Sequence, residues 1–215
     1  MRLVSHAIYR NEIKISKEII ATLPIETFPG KIVVIDNERD ADNAVLQLNN
    51  ESIIGFDTET RPTFKKGKSN HVALIQLSTH DTCYLFRINR IGFTPAIKNL
   101  LENESLLKVG ISLKDDFCML NRLNSGQFIP RNFIELQKFV KKYNIEDQSL
   151  QKIYGIVIGK KISKGQRLSN WEADHLTENQ QLYAATDAWS CIKIYEVLKS
   201  GKFKSPIYKI QPSSL

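Results

Sequence analysis

The sequence predicts an α/β domain built on a mixed sheet. Three observations carry this prediction. Strand-like segments follow one another between residues 53 and 88, and the last two are joined by a turn short enough to require an antiparallel hairpin. After residue 94, helix-like and strand-like segments alternate, which is the pattern that builds parallel pairs. A long helix, clearly marked at its start, closes the pattern at residues 177–199.

Residues 1–30 carry weak periodicity and end in Pro24, Phe28, Pro29 and Gly30, so they read as an N-terminal extension. Lys31 to Asp36 is short and β-branched, a strand, and Asp40 to Asn50 places Ala44, Val45 and Leu48 at helical spacing. Ile53 to Glu59 is the next strand, and Arg61 to Asn70 is a loop rich in Pro, Gly and Lys. His71 to Ser78 alternates as a strand, with Val72, Leu74, Gln76 and Ser78 on one face. His80 and Asp81 form a tight turn into the strand Thr82 to Ile88. Thr94 to Glu102 is a helix with Pro95 in its first turn. Leu106 to Ile111 is a strand, Lys114 to Leu123 a helix, Asn132 to Leu136 a short apolar run, and Gln148 to Ile158 a helix. Thr177 and Gln180 have the spacing of a capping box at the head of the last helix. The domain therefore spans residues 31–200, followed by a basic tail at 201–215.

Length and composition fit one soluble globular domain: 215 residues, 42% hydrophobic and 25% charged. Thirty Lys and Arg against 23 Asp and Glu give a net charge of +7, and a pI near 9.2 suits a polyanionic partner. No segment approaches the roughly 20 apolar residues of a membrane span, and the first residues lack the apolar stretch of a signal peptide. No membrane partner is expected. Cys83, Cys118 and Cys191 are far apart and the four histidines show no ligand spacing, which excludes a disulfide framework and a Cys-based zinc site. The expected compartment is the reducing cytoplasm.

Carboxylates stand where the fold would bury them. Asp57 and Glu59, two apart on a strand, project from one face. Either the strand has emerged into solvent there, or a cation lies between two charges that otherwise repel. On the last helix, Tyr183, Asp187, Cys191, Ile194 and Leu198 form one stripe in steps of three and four. That stripe aims Asp187 at the interior, where it needs a metal, a cation or a hydrogen-bond network; Tyr183 is either a core tyrosine or part of the same site. Asp115 and Asp116 both suit the first turn of a helix. Asp116 shares a face with Leu120 and Leu123, which makes it the better inward carboxylate. Four carboxylates with no Cys or His suit hard cations such as Mg²⁺ or Mn²⁺, and two such ions a few ångströms apart are a standard device for phosphodiester cleavage.

These segments resemble the 3′–5′ exonuclease domains of the DEDD (DnaQ-like) superfamily, in its tyrosine-containing branch. The likeness is greatest to the Werner-type domains and more distant to ribonuclease D. Phe56-Asp57-Thr58-Glu59 resembles the first family motif, Val109-Gly110 through Asp116 the second, and Leu182-Tyr183-Ala184-Ala185-Thr186-Asp187-Ala188 the third. Val72 to Leu77, Ser169-Asn170-Trp171 and Leu176-Thr177 add to it. The resemblance implies a ribonuclease-H-like fold, with a mixed sheet of five or six strands and helices on both faces. It also implies roles: Asp57, Glu59 and Asp187 would hold a first metal, and Asp57 would bridge to a second, bound by Asp116 through water. Tyr183 would orient or deprotonate the attacking water. Tyrosine's ordinary pKa near 10 favours orientation.

Substrate contacts are expected from Phe64, Lys65, Lys66 and Lys68 in the loop after the first motif, with Phe64 placed to stack on a terminal base. Lys164 and Arg167 are candidates in the run Lys160 to Arg167. The alternative for each cluster is a solvated surface. The activity implied is release of nucleoside 5′-monophosphates from nucleic-acid 3′ ends, single-stranded or frayed, with two divalent cations. The alternatives are a non-catalytic nucleic-acid-binding module and a small-nucleotide phosphohydrolase.

Overall fold

The computed structural model describes residues 12–62 and 71–204. In chain order its elements are α1 (Lys17–Thr22), β1 (Lys31–Ile35), α2 (Glu38–Leu48), β2 (Ile53–Thr60), β3 (Val72–Ser78), β4 (Thr82–Phe86), α3 (Ile88–Ile91), α4 (Pro95–Glu102), β5 (Leu107–Gly110), α5 (Leu113–Leu123), β6 (Phe133–Glu135), α6 (Leu136–Phe139), α7 (Leu150–Ile158) and α8 (Glu178–Lys199). A 3₁₀ turn at Val140–Tyr143 follows α6.

The strands form one six-stranded sheet in the order β1-β4-β3-β2-β5-β6. β2, β3 and β4 are antiparallel to their neighbours among themselves, and β1, β5 and β6 add parallel pairs at the two sides. Each face is covered. On one side Phe56, Ile75, Leu77 and Phe86 pack with α2, α4 and α5. On the other side Leu74, Leu85 and Val109 pack with α7 and α8. The apolar run at Asn132 to Leu136 is thus split between an edge strand and a short helix. Helices as short as α1, α3 and α6 carry too little periodicity to be read from sequence, and tertiary packing holds them.

The signals at helix starts act as expected. Thr177 and Gln180 close a reciprocal capping box on α8, and Thr94 caps α4 with Pro95 in its first turn. From Tyr183 to Ile192 every residue of α8 is buried, so this helix runs through the middle of the molecule rather than along its surface.

Residues 12–30 pack into the same core. Ile15, Ile20 and Phe28 are buried, and the Phe28 N–H donates to the Thr186 hydroxyl at 3.0 Å. Glu26 pins this segment down. It accepts from Lys160 at 2.7 Å on one side and from Lys193 of α8 at 2.9 Å on the other, and the Tyr154 hydroxyl of α7 donates to it. Burial opposes its charge, but these three donors outweigh burial and hold its pKa near 2, against an ordinary 4.5. A depressed carboxylate stabilises the fold above its unfolded pKa, and that stability is lost as pH falls toward the folded value. Glu26→Gln is therefore expected to lower the thermal midpoint at pH 7 by roughly 4–8 °C, the size for one charged hydrogen-bond network in a domain this large. The gap to wild type should close between pH 4.5 and about 2. Equal midpoints at pH 7 would show that the clamp adds nothing.

Candidate active site

The site forms where α8 crosses β2. Asp57 and Glu59 leave β2 on the α8 side, two residues and four residues after Gly55. A Cβ on Gly55 would lie 1.9 Å from the carbonyl oxygen of Ala188. Only glycine permits that approach, and it brings Asp187, the residue before Ala188, against Asp57. Ligand oxygens of Asp57, Glu59 and Asp187 all lie within 4.8 Å of one another. Among the described residues no other group of three or more His, Cys, Asp or Glu meets that spacing.

Three carboxylates this close cannot all carry charge without a counter-ion. Burial and then the charges of Asp187, Glu59 and Asp116 raise the Asp57 pKa well above the carboxylate range. Burial, then Asp187 and Asp116, push Glu59 up to about 9, with Arg167 acting the other way. Burial pushes Asp187 up to about 7, opposed by a hydrogen bond from Tyr183 and by the charge of Lys164. The donor set is all carboxylate, so the residues present fit a hard divalent cation.

Tyr183 lies one turn before Asp187 and its ring packs against Trp171, with centroids 6.0 Å apart. Burial, the Asp187 and Glu59 charges and the hydrogen bond to Asp187 all raise the phenol pKa, so the hydroxyl stays protonated and donates.

Asp116 reaches the site from the opposite face of the sheet. It is buried on α5, while Asp115 is exposed. Thr58, which points away from α8 between Asp57 and Glu59, donates its hydroxyl to the Asp116 carboxylate at 2.5 Å. Burial pushes Asp116 up to about 7, and the Thr58 bond opposes that shift. Asp116 stands outside the close trio but near enough for its charge to raise Asp57 and Glu59.

Lys164 and Arg167 line a cavity of about 170 Å³ together with Asp57, Asp187 and Tyr183. Their neighbours in the run do something else. Lys160 is paired with Glu26, and Lys161 donates to the Ala21 carbonyl. Phe64, Lys65, Lys66 and Lys68 lie outside the described residues.

Sequence reasoning missed Thr58, Ser149 and Gln151. Ser149 precedes α7 at the end that opens onto the cavity without making a side-chain capping bond, and Gln151 Nε2 donates to the Ile162 carbonyl at 2.7 Å, fastening the segment that carries Lys164. A serine just before an apolar run was the available signal for the start of α7. Nothing local marked that end as part of the site.

Residues 32–201 match a family model described as 3′–5′ exonuclease. The chain is 37% identical over 186 residues to the mouse bifunctional 3′–5′ exonuclease/ATP-dependent helicase WRN, covering 82% of this chain and 13% of that protein. It is 29% identical over 202 residues to an Arabidopsis thaliana 3′–5′ exonuclease, covering 82% of this chain and 66% of that one. The chain thus spans less than two thirds of either relative. Among solved structures, the Aedes aegypti Nibbler EXO domain superposes with a TM-score of 0.73 at 24% identity, covering 81% of this chain and 91% of that one. Escherichia coli RNase D superposes with a TM-score of 0.70 at 21% identity, covering 80% and 45%. The fold is ribonuclease-H-like.

Proposed function

This chain belongs to the 3′–5′ exonuclease family, and we propose that it is a metal-dependent enzyme that hydrolyses phosphodiester bonds at nucleic-acid 3′ ends, releasing nucleoside 5′-monophosphates. The observation that carries this reading is the trio Asp57, Glu59 and Asp187, with oxygens within 4.8 Å of one another, and Tyr183 one turn before Asp187 on the same helix. The catalytic domain is assigned to residues 31–200, with 12–30 as a brace packed on it and 201–215 as a basic tail. The unbridged cysteines suit a reducing compartment such as the cytoplasm, and no helix of the described residues is long and apolar enough to cross a membrane.

Asp57, Glu59 and Asp187 would hold one divalent cation, and Asp57 with Asp116 a second, Mg²⁺ or Mn²⁺. Bound there, the ions supply Lewis acidity for the attacking water and the departing 3′ oxygen. The chain's own residues do the rest. Tyr183, protonated and anchored on Asp187, orients the attacking water through its hydroxyl. Lys164 and Arg167 hold the scissile phosphate in the cavity, and Gln151 keeps their segment in place. Thr58 fixes the direction of the Asp116 carboxylate. Phe64, Lys65, Lys66 and Lys68 are proposed to contact the strand as it enters.

The test is incubation with Mn²⁺ and oligonucleotides, DNA and RNA, labelled at either end, with free nucleotides as controls. Stepwise shortening of a 5′-labelled strand and immediate mononucleotide release from a 3′-labelled one support the proposal. Binding without cleavage, or cleavage of nucleotides alone, would overturn it.

The doubled aspartate gives a sharper expectation. Asp116→Asn should slow turnover by about 10²-fold or more, the scale for a group worth several kcal/mol in the transition state. Asp115→Asn, at an exposed position, should stay close to wild type. The reverse order in single-turnover rates would place the second-motif acid one residue earlier.

A further inference from the structure

The C-terminal end of α8 meets α6 and the 3₁₀ turn after it at a surface that the metal site does not use. The Tyr143 hydroxyl donates to the Leu198 carbonyl at 2.9 Å. The Phe139 and Tyr195 ring centroids are 5.1 Å apart, and those of Tyr143 and Phe203 are 6.2 Å apart. These contacts join residues 138–143 to residues 195–204. The first segment carries Lys138, Lys141 and Lys142, and the second Lys199, Lys202 and Lys204, all of them exposed. The only acid in either segment is Glu196, which pairs with His80. Asp147, just beyond, is taken by Lys152. Among the described residues none of these six lysines is in an ion pair.

Like charges gathered on one surface repel, and a face built for solubility alone intersperses both signs, as Glu38, Arg39, Asp40 and Asp42 do on α2. Here the cations are set among aromatic rings instead. Phe139, Tyr143, Tyr195 and Phe203 are each half-buried at the rim of the core, and Lys142 Nζ lies 5.4 Å from the Phe139 centroid. Cations that track a phosphate backbone, beside rings on which bases stack, are the two parts of a single-strand binding surface. The surface is separate from the metal cavity. Lys199 follows Asp187 by twelve residues on α8, about 18 Å along the helix axis. At roughly 3.4 Å between phosphates of one strand, about five nucleotides cover that distance.

We propose that this lysine and aromatic surface is a second binding site, for single-stranded nucleic acid, that grips a strand on the 5′ side of the end held at the metal trio. The grip stands on the surface itself; its link to a 3′ end rests on the exonuclease reading.

The experiment is fluorescence anisotropy in chelator, with labelled single strands of about 12 and about three nucleotides, across a salt series. It compares wild type with the triple variant Lys141→Gln, Lys142→Gln, Lys202→Gln and with the matching triple Arg variant. The three side chains are exposed and in no ion pair, so both variants should melt with wild type. The Gln variant should bind the longer strand at least about 10-fold more weakly at low salt, and its slope of log K against log salt should shrink by about 2, since each phosphate contact contributes about 0.7. The Arg variant should match wild type, and all three proteins should bind the short strand alike. Unchanged affinity and slope on the longer strand overturn the inference. An equal loss on both strands overturns it as well, because the lysines would then act at the metal cavity. Loss of binding to phosphatidylserine vesicles with oligonucleotide binding intact would make this a membrane face and also overturn it. Adding Mn²⁺ tests the exonuclease reading separately: wild type that binds but does not cleave overturns that reading, while the anisotropy still decides the second site.

Discussion

Asp57→Asn is expected to reduce phosphodiester hydrolysis by at least about 10³-fold, because on the proposed reading Asp57 would be a ligand to both cations, and losing such a ligand costs several kcal/mol in the transition state. The same change should stabilise the metal-free protein. Burial and the charges of Asp187, Glu59 and Asp116 raise Asp57 well above the carboxylate range, and Glu59 is pushed up to about 9. Groups raised in the folded state hold protons that the unfolded chain has released. Their contribution is fully present below the ordinary values of 3.8 for Asp and 4.5 for Glu, and it is lost as pH rises through the folded values. In chelator, the wild-type midpoint should therefore fall relative to that of Asp57→Asn between about pH 5 and pH 9. Adding Mn²⁺ at pH 8 should raise the wild-type midpoint by mass action and leave Asp57→Asn nearly unmoved. Full activity in the variant, or parallel pH profiles of the two midpoints, would remove Asp57 from the site.

Tyr183→Phe should slow the chemical step by on the order of 10²–10⁴-fold, the range for a positioned proton-handling group. The ring that packs on Trp171 is retained, and so is every carboxylate. Mn²⁺ affinity, oligonucleotide binding and the thermal midpoint should thus stay close to wild type. Because burial and the neighbouring acids raise the phenol pKa, no tyrosinate is present near neutral pH. The wild-type pH–rate profile should accordingly show no rise that disappears in the Phe variant. Wild-type turnover in Tyr183→Phe would make this residue a core tyrosine with no role in the reaction.

The site was legible in proportion to how local its signals are. Asp57 and Glu59 are two apart on a strand, and Tyr183 and Asp187 are four apart on a helix; chain geometry alone puts each pair on one face. Asp116 stood out from Asp115 because it shares a face with Leu120. The basic run was less legible. Four cations within eight residues look alike in sequence, but Glu26 claims Lys160 and the Ala21 carbonyl takes Lys161, so only Lys164 and Arg167 reach the cavity. Glu26 itself lies in a segment whose periodicity is weak, and its partners are 134 and 167 residues away. Lys108 shows the same limit. It sits fully buried in β5 under the Phe133 ring, donating to the Asn103 carbonyl, where periodicity offered only a strand position.

Read alone, the sequence yields the longer helices and the strands between them, the shared face of Asp57 with Glu59 and of Tyr183 with Asp187, and the preference for hard cations. These are properties of 2.0- and 3.6-residue repeats and of side-chain chemistry. The tertiary structure alone decided that β2 and α8 approach closely enough for Asp57, Glu59 and Asp187 to share one site. It also decided that Asp116 arrives from the opposite face, held by Thr58. Distances between elements depend on how closely two backbones pack, and here that closeness is permitted by the missing side chain of Gly55 against the Ala188 carbonyl.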